Sequence, residues 1–231
     1  MHKIYRGFWS EQELDDLFNI IVSNNEWLIS GTIGSGQIKD NNDTLRPDYY
    51  NMKARSRISQ AQTKPPKNIP NHFKHKLLQV MDRDFAMEDD SYYFDEEWAI
   101  QRYLGEQGGK FDWHQDILDF FKYVQGSSAE EHFIRNTRPN RKLSVSVAMN
   151  NKSDYNDGNL VIGTKEEKSE RVPIDLDRGD MVIFTSDIYH GVEPVSEGTR
   201  YALIIWALSY NELIEWNTHY KNLEDDTETT L

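Results

Sequence analysis

The second half of the chain is divided into short apolar runs, and no other feature of the sequence constrains the fold as strongly. The runs are rich in Val, Ile, Tyr, Phe and Trp, and turn residues separate them. About eight such runs at this spacing predict antiparallel strands in a jelly-roll sandwich or barrel. They are Trp98–Leu104, Lys110–Asp116, Leu143–Met149, Asn159–Gly163, Arg171–Asp175, Asp180–Phe184, His190–Val195 and Arg200–Leu208.

Two helices are predicted before this β core, in a helical N-terminal part that covers residues 1–90. Ser10 and Glu13 have the spacing of a capping box and precede apolar residues at helical spacing. A second apolar face runs from His72 to about Met81. No linker divides the chain, so residues 1–223 are predicted to form a single domain with its β core at residues 98–209. Residues 224–231 are predicted to form an acidic tail.

The composition excludes several classes of site. The 26 Lys and Arg residues against 39 Asp and Glu residues give a net charge of −13, which argues against binding to nucleic acids or anionic membranes. The absence of Cys excludes disulfides, thiolate zinc sites, iron–sulfur clusters and Cys nucleophiles. The first residues lack the apolar segment of a signal peptide, and Tyr201–Leu208 is far shorter than the roughly 20 residues that span a bilayer. We therefore expect a cytoplasmic protein, of a size that leaves its oligomeric state open.

His114 and Asp116 are the first candidate metal ligands. On a strand, residues two apart project from the same face, so this imidazole and this carboxylate would point together. One nitrogen donor and one oxygen donor form half of a site for a divalent metal. The triplet alone is equally typical of a hydrogen-bonded pair at the surface.

His190 and Arg200 are the second pair of candidates. Ser196–Gly198 can form a three-residue hairpin loop, which would place Arg200 on the same side as His190 and about 13 Å along the strand. A two-residue turn at Glu197–Gly198 would place Arg200 on the opposite face. In the first register, a short dicarboxylate would fit between a metal on His190 and the Arg200 guanidinium. The alternative is an ordinary salt bridge of Arg200 at the end of a strand.

Together, His114, Asp116 and His190 offer two imidazoles and one carboxylate. Three ligands on one face of an octahedron leave three positions open, which is typical of non-heme Fe(II) oxygenases. Zinc with the same donors would favour hydrolysis. Arg200 favours the oxygenase, because a hydrolytic site needs no anion-binding residue at that distance.

The same residues carry a resemblance to a known family. In order, the chain resembles the 2-oxoglutarate/Fe(II)-dependent dioxygenases of the prolyl 4-hydroxylase type, and the PKHD-type hydroxylases most of all, from about Gly7 to Ser209. The blocks that carry this resemblance are Tyr103, Phe111–Asp116, Arg141–Met149, Tyr155–Leu160, Gly179–Phe184, His190–Val195, Gly198–Arg200 and Trp206.

The resemblance implies a double-stranded β-helix of the jelly-roll or cupin type, with flanking helices. His114, Asp116 and His190 would bind Fe(II), and Arg200 would bind the distal carboxylate of 2-oxoglutarate. Tyr103 is a candidate hydroxyl partner of that carboxylate, and no catalytic residue is expected beyond the metal ligands. The implied reaction uses dioxygen, with ascorbate as reductant, to hydroxylate an unactivated C–H and to release succinate and carbon dioxide. The expected substrate is a prolyl residue of a protein or peptide.

Two alternatives stay open at this point. The substrate could be a free amino acid or another small metabolite, and the chain could be a non-catalytic, cupin-like protein that only binds metal. Nucleobase-repair members of the superfamily carry a second Arg where this chain has Trp206, which argues further against a nucleic-acid substrate. Gln125–Asn140 is a candidate lid.

A basic cluster adjoins this candidate lid in an otherwise acidic chain. It consists of Arg135, Arg138 and Arg141. We expect the cluster to contact the substrate at the mouth of the site, with a solvated loop as the alternative.

Overall fold

The computed structural model describes residues 1–24, 26–30, 37–39, 45–47, 57–117, 141–165 and 170–215. Several predictions lie outside these residues: the lid at 125–140, the side chains of Arg135 and Arg138, and the acidic tail at 224–231. Within the described part of the chain, no helix is both long enough and apolar enough to cross a membrane.

The two predicted helices are confirmed as α1 (Glu11–Ile21) and α2 (Asn71–Asp84). Ser10 caps α1, because its side chain accepts from the Glu13 amide while the Glu13 carboxylate accepts from the Ser10 amide. The apolar side chains at helical spacing are the buried ones in both helices. Short 3-10 helices occur at Pro66–Asn68, Gly105–Gln107 and Lys152–Asp154, and residues 210–215 are helical.

Sixteen strands occur in the described residues. They are β1 (His2–Tyr5), β2 (Leu28–Ile29), β3 (Gln37–Lys39), β4 (Leu45–Pro47), β5 (Arg57–Ile58), β6 (Gln60–Lys64), β7 (Tyr92–Tyr93), β8 (Trp98–Leu104), β9 (Lys110–His114), β10 (Arg141–Ala148), β11 (Tyr155–Asp157), β12 (Leu160–Gly163), β13 (Val172–Ile174), β14 (Met181–Thr185), β15 (Tyr189–Val192) and β16 (Val195–Ser209). All eight predicted β segments overlap one of these strands, so the prediction of a β-rich core is confirmed.

The strands form two main antiparallel sheets. The large sheet has nine strands, with the order β1-β14-β10-β16-β8-β6-β2, and β7 and β11 pair with β16 in addition. The small sheet has the order β13-β12-β15-β9-β5, while β3 and β4 pair only with each other. Two antiparallel sheets with one shared interior are the double-stranded β-helix that was predicted.

Strand β10 explains how the layers are ordered. Val145 and Val147 belong to the core in which α1 and α2 cover the outer face of the large sheet. Ser144 and Ser146 alternate with them and line a cavity between the two sheets. The helices therefore bury one face of the large sheet, and the opposite face is left for a polar site.

The prediction of a helical N-terminal part was incomplete. Besides the two helices, that part contributes β1 to β6. Strand β1 extends the edge of the large sheet by pairing with β14, and β6 pairs with β8. Strand β6 has the sequence Gln-Ala-Gln-Thr-Lys, which lacks the apolar alternation that identifies a half-buried strand.

Candidate metal centre

Three predicted ligands converge at one point of the small sheet. His114 is the last residue of β9, and it pairs directly with His190 of β15. Asp116 follows two residues later, and its amide donates to the carbonyl of Ser186 at 3.0 Å. One ligand atom from each of the three side chains lies within 4.8 Å of the others. The structure therefore brings His114, Asp116 and His190 together, as the sequence predicts.

Both imidazoles are oriented by a backbone carbonyl. His114 Nδ1 lies 2.7 Å from the carbonyl oxygen of Asp112, and His190 Nδ1 lies 3.0 Å from that of Ile188. Because a carbonyl only accepts, Nδ1 carries the proton and Nε2 keeps its lone pair. The Nε2 atoms lie 3.7 Å and 3.4 Å from the Asp116 oxygens. This arrangement is typical of His residues that bind a metal through Nε2.

His114 Nε2 provides the test of whether a metal fits. This atom is buried and has no hydrogen-bond partner among the described residues. A buried polar atom without a partner is costly in a native structure, and a metal ion would satisfy it. The donor set, two imidazoles and one carboxylate, fits Fe(II).

The Asp116 carboxylate is held in place by neighbouring donors. Its Oδ2 accepts from Ser144 Oγ at 2.7 Å and from Trp206 Nε1 at 2.9 Å, and its Oδ1 lies 3.5 Å from Arg141 Nη1. The sequence analysis missed these roles of Ser144 and Trp206. Both occupy inward-facing positions of strands buried on both faces, and a polar group at such a position was the available signal.

The ionisation states suit a metal site. Burial lowers the pKa of His114, and this effect outweighs the attraction of the nearby Asp116 carboxylate. Burial alone would raise the pKa of Asp116, but the nearby His190 and His114 and the charge of Arg141 hold the pKa of this carboxyl well below its usual range. The cluster therefore keeps an ionised carboxylate beside an imidazole that burial keeps neutral.

Arg200 reaches the same cavity by a different route from the predicted one. The hairpin at Ser196–Gly198 was wrong, because β16 runs without a reversal through these residues. On β11, Asn156 pairs with Glu197 and Asp157 pairs with Val195, so Ser196 forms a bulge. Arg200 therefore lies on the large sheet and His190 on the small sheet, and they face each other across the interior.

Arg200 and Tyr103 form the second feature of the cavity. The two residues are paired on β16 and β8, and the Arg200 guanidinium carbon lies 5.3 Å from the centre of the Tyr103 ring. Arg200 is 4% exposed, and its Nη1 has no hydrogen-bond partner among the described residues. No described carboxylate lies within ion-pair distance of this guanidinium. A buried cation in this state favours an anionic ligand.

Arg141 is the described member of the predicted basic cluster. It forms two hydrogen bonds with Glu96, Nε–Oε1 at 2.6 Å and Nη2–Oε2 at 2.5 Å, and its guanidinium carbon lies 3.7 Å from the centre of the Trp206 ring. Arg141 therefore supports the side chains around Asp116, while its predicted contact with a substrate stays a prediction.

The sequence of the β core matches a known profile. Residues 98–208 match the 2OG-Fe(II) oxygenase superfamily, and this range contains both imidazoles, Asp116, Tyr103 and Arg200. The matched range covers slightly less than half of the chain. This superfamily is named for Fe(II) and 2-oxoglutarate, and the three side chains of the cluster in this chain could hold a metal ion.

Several curated proteins with sequences similar to this chain are PKHD-type hydroxylases. One from Prochlorococcus marinus (strain MIT 9515) is 33% identical over 82 residues, which cover 36% of this chain and 36% of that protein. Another from Pseudomonas putida (strain F1) is 26% identical over 151 residues, which cover 59% of this chain and 61% of that protein. The matches span less than two thirds of these relatives.

Solved structures show the same fold. A prolyl hydroxylase from Trichoplax adhaerens, in complex with a hypoxia inducible factor oxygen degradation domain peptide fragment, has a TM-score of 0.62 at 14% identity and covers 92% of this chain and 86% of that chain. The viral collagen prolyl hydroxylase of Paramecium bursaria Chlorella virus-1, in its 2OG complex, has a TM-score of 0.56 at 16% identity and covers 89% and 94%. At this identity the likeness establishes the jelly-roll fold alone.

Proposed function

We propose that this protein is a hydroxylase that depends on Fe(II) and 2-oxoglutarate. His114, Asp116 and His190 would hold the metal, and Arg200 would bind the distal carboxylate of 2-oxoglutarate. The observation that carries the proposal is the shared cavity: three metal-binding side chains on one sheet face a buried guanidinium without a carboxylate partner on the other. A purely structural metal site would not need that guanidinium.

The metal, Arg200 and the apolar residues of the cavity would have different roles in the reaction. Together, the bound metal and 2-oxoglutarate supply the splitting of dioxygen, which yields succinate, carbon dioxide and a hydroxyl group on an unactivated C–H. The Arg200 guanidinium can donate two parallel hydrogen bonds to one carboxylate, and this pairing would fix the orientation of 2-oxoglutarate in the cavity. Leu160, Phe184 and Ile204 line the same cavity and exclude water from it.

Tyr103 supports the co-substrate end of the site in this proposal. It is 2% exposed, it lines the cavity and it pairs with Arg200 across two strands. A tyrosine hydroxyl at this place would donate to the carboxylate that Arg200 binds. Ascorbate is proposed as the reductant that keeps the metal in the Fe(II) state.

The proposed substrate is a prolyl residue of a protein or peptide. Support comes from the resemblance to prolyl 4-hydroxylases and from the structural neighbours, one of which is a prolyl hydroxylase with a bound peptide fragment. To test the substrate class, His190→Ala protein can be used to capture ligands from a lysate. Enrichment of polypeptides supports the proposal, and enrichment of one small molecule favours the metabolite alternative.

Succinate production tests the activity itself. With Fe(II), 2-oxoglutarate and ascorbate, the protein should form succinate slowly even without its substrate. Asp116→Ala should abolish this formation, because it removes the only carboxylate among the ligands. Arg200→Ala should raise the 2-oxoglutarate concentration needed by at least about tenfold, which corresponds to the loss of one ion pair worth about 1.4 kcal/mol. Absence of succinate from the unmodified protein would favour a non-catalytic metal-binding protein, and unchanged co-substrate dependence in Arg200→Ala would disprove the role of Arg200.

A further inference from the structure

The cavity holds a second guanidinium, that of Arg57. Arg57 lies on β5 and pairs with Phe111 of β9. Its guanidinium carbon is 4.3 Å from the centre of the Phe111 ring, and that ring stacks on His114 with 3.7 Å between the centroids. Arg57 therefore extends a stack that ends on a metal-binding imidazole, and it lines the same cavity as Arg200.

Neutral groups accept hydrogen bonds from only some of the N–H donors of the Arg57 guanidinium. Arg57 Nε donates to Ser59 Oγ at 3.0 Å, and the side chain also hydrogen-bonds with Tyr103. Burial lowers the pKa of Arg57, although Tyr103 and Asp116 partly offset this effect. Among the residues that the structure describes, no carboxylate lies within ion-pair distance of Arg57. Asp116, an acidic group that acts on Arg57, already accepts hydrogen bonds from Ser144 and Trp206.

The charges that line the cavity do not balance. Among the described residues, the charged side chains that line it are those of Arg57, Arg200 and Asp116, which sum to +1. If the proposed function holds, a divalent metal raises this sum to +3, and 2-oxoglutarate with two carboxylates lowers it to +1. Because an uncompensated buried charge is costly, one more negative group is expected in the loaded site.

We propose that Arg57 binds a carboxylate that enters the cavity on a ligand. Two ligands could supply it: the metal-proximal end of 2-oxoglutarate, or the primary substrate. The charge sum favours the substrate. Arg200 balances one carboxylate of 2-oxoglutarate, and the +1 charge of the metal together with Asp116 balances the other. The substrate is then acidic close to the position that is hydroxylated. This inference rests on the proposed function.

Arg102 offers a matched control. Its guanidinium carbon also lies 4.3 Å from the centre of an aromatic ring, that of Trp27, and its Nε donates to Gln60 Oε1 at 2.6 Å. Arg102 is half-buried like Arg57, but it does not line the cavity. Arg102→Gln therefore removes the same kind of contact without removing a charge from the site.

The first experiment measures the affinity for 2-oxoglutarate. Zn(II)-loaded protein, which does not turn over, is titrated with 2-oxoglutarate by calorimetry for the unmodified chain and for Arg57→Gln, Arg102→Gln and Arg200→Gln. Arg200→Gln should weaken binding at least about tenfold, and Arg102→Gln should leave it unchanged. A comparable loss in Arg57→Gln assigns its carboxylate to 2-oxoglutarate. No loss in Arg57→Gln leaves the substrate as the source.

The second experiment measures whether the site prefers a ligand with a carboxylate over the matching amide. With 2-oxoglutarate bound, N-acetyl-L-proline and N-acetyl-L-prolinamide, which differ only in the carboxylate, are compared by ligand-observed NMR. The unmodified protein should prefer the acid at least about fivefold, Arg57→Lys should keep part of this preference and Arg57→Gln should lose it. Thermal unfolding of each variant, compared with Arg102→Gln, checks that the fold is intact.

The outcomes separate the two proposals. If Arg200→Gln weakens 2-oxoglutarate binding while Arg57→Gln does not, and the unmodified protein shows no preference for the acid, the role of Arg57 is disproved and the proposed function stands. If 2-oxoglutarate does not bind the unmodified Zn(II)-loaded protein, the proposed function itself fails.

Discussion

The two oxygens of Asp116 have different surroundings. Oδ2 accepts hydrogen bonds from Ser144 and Trp206, whereas Oδ1 lies 3.5 Å from Arg141 Nη1 and 3.7 Å from His114 Nε2. Because two donors hold Oδ2, the carboxylate plane is fixed before any metal binds. Such fixed orientation lowers the cost of assembling a metal site, since the ligand does not have to lose freedom on binding.

Trp206→Phe tests this role of the indole. The substitution keeps an aromatic ring under Arg141 but removes the Nε1 donor, so Asp116 should become more mobile. We expect the affinity for Zn(II), measured by calorimetry, to fall about tenfold. Trp27→Phe is the control, because Trp27 packs against Tyr201 and does not line the cavity. Equal Zn(II) affinity in Trp206→Phe and the unmodified protein would contradict the positioning role.

At the scale of elements, β16 continues through a bulge at Ser196 and places Arg200 on the large sheet, facing the cavity. Gly198 has a φ of +73°, and a Cβ at this residue would lie 2.2 Å from the carbonyl oxygen of Asp154. The glycine is therefore required by the close approach of the chain at Asp154 and Tyr155 as well as by its backbone conformation.

Gly198→Ala should be strongly destabilising. We expect a loss of about 2 to 4 kcal/mol in the free energy of unfolding, measured by urea denaturation, because strain from the left-handed conformation adds to a steric clash. Gly7→Ala is the matched control: Gly7 also has a positive φ, +53°, but a Cβ there would meet nothing within 4 Å. Its cost should be only about 1 kcal/mol. Equal costs for the two substitutions would show that the close approach does not matter.

Asp180 holds the residues that follow β1, Arg6 and Gly7, against the start of β14. Its carboxylate accepts from the Gly7 amide at 2.7 Å, from Arg6 Nη1 at 2.6 Å and from the Asp177 amide at 3.1 Å. Burial alone would raise the pKa of Asp180, but these hydrogen bonds and the charge of Arg6 hold the pKa below its ordinary value. Ionised Asp180 therefore stabilises the folded chain.

The pH dependence of Asp180→Asn follows from the sign of this shift. A carboxyl with a lowered pKa in the folded state adds stability above its unfolded pKa of about 3.9, and this stability is lost as the pH falls through the folded pKa. Asp180→Asn should thus cost about 2 kcal/mol at pH 7 and much less near pH 3. Urea denaturation at both pH values measures the difference, with exposed Asp187→Asn as the control. A cost that is the same at both pH values would contradict this account.

At the scale of the whole molecule, the β core was predictable because its strands are buried on two sides. Strand β16 presents Leu203 and Ile205 to the helices and Arg200 and Trp206 to the cavity, so the run reads as strongly apolar with a few polar exceptions. The three candidate metal ligands were predictable because His114 and Asp116 lie two residues apart at the end of β9 and the family pattern supplied His190.

The remaining features depend on contacts between distant parts of the chain. A glycine with a positive φ serves a bulge as well as a hairpin, so Gly198 did not reveal that Arg200 lies on the opposite sheet. Arg57 reaches the cavity because β5 pairs with β9, and its polar neighbourhood in sequence gives no sign of this pairing. The positions of Ser144 and Trp206 around Asp116 likewise require the register of three strands.

The central claim is that two sheets present a metal site and a carboxylate site to one cavity. A crystal grown without oxygen and soaked with Fe(II) and 2-oxoglutarate tests it directly through anomalous scattering at the iron edge. The account predicts one iron peak about 2.0 to 2.2 Å from His114 Nε2, His190 Nε2 and an Asp116 oxygen, with a carboxylate of the co-substrate paired to Arg200. An iron peak away from these three side chains, or 2-oxoglutarate bound without contact to Arg200, would contradict it.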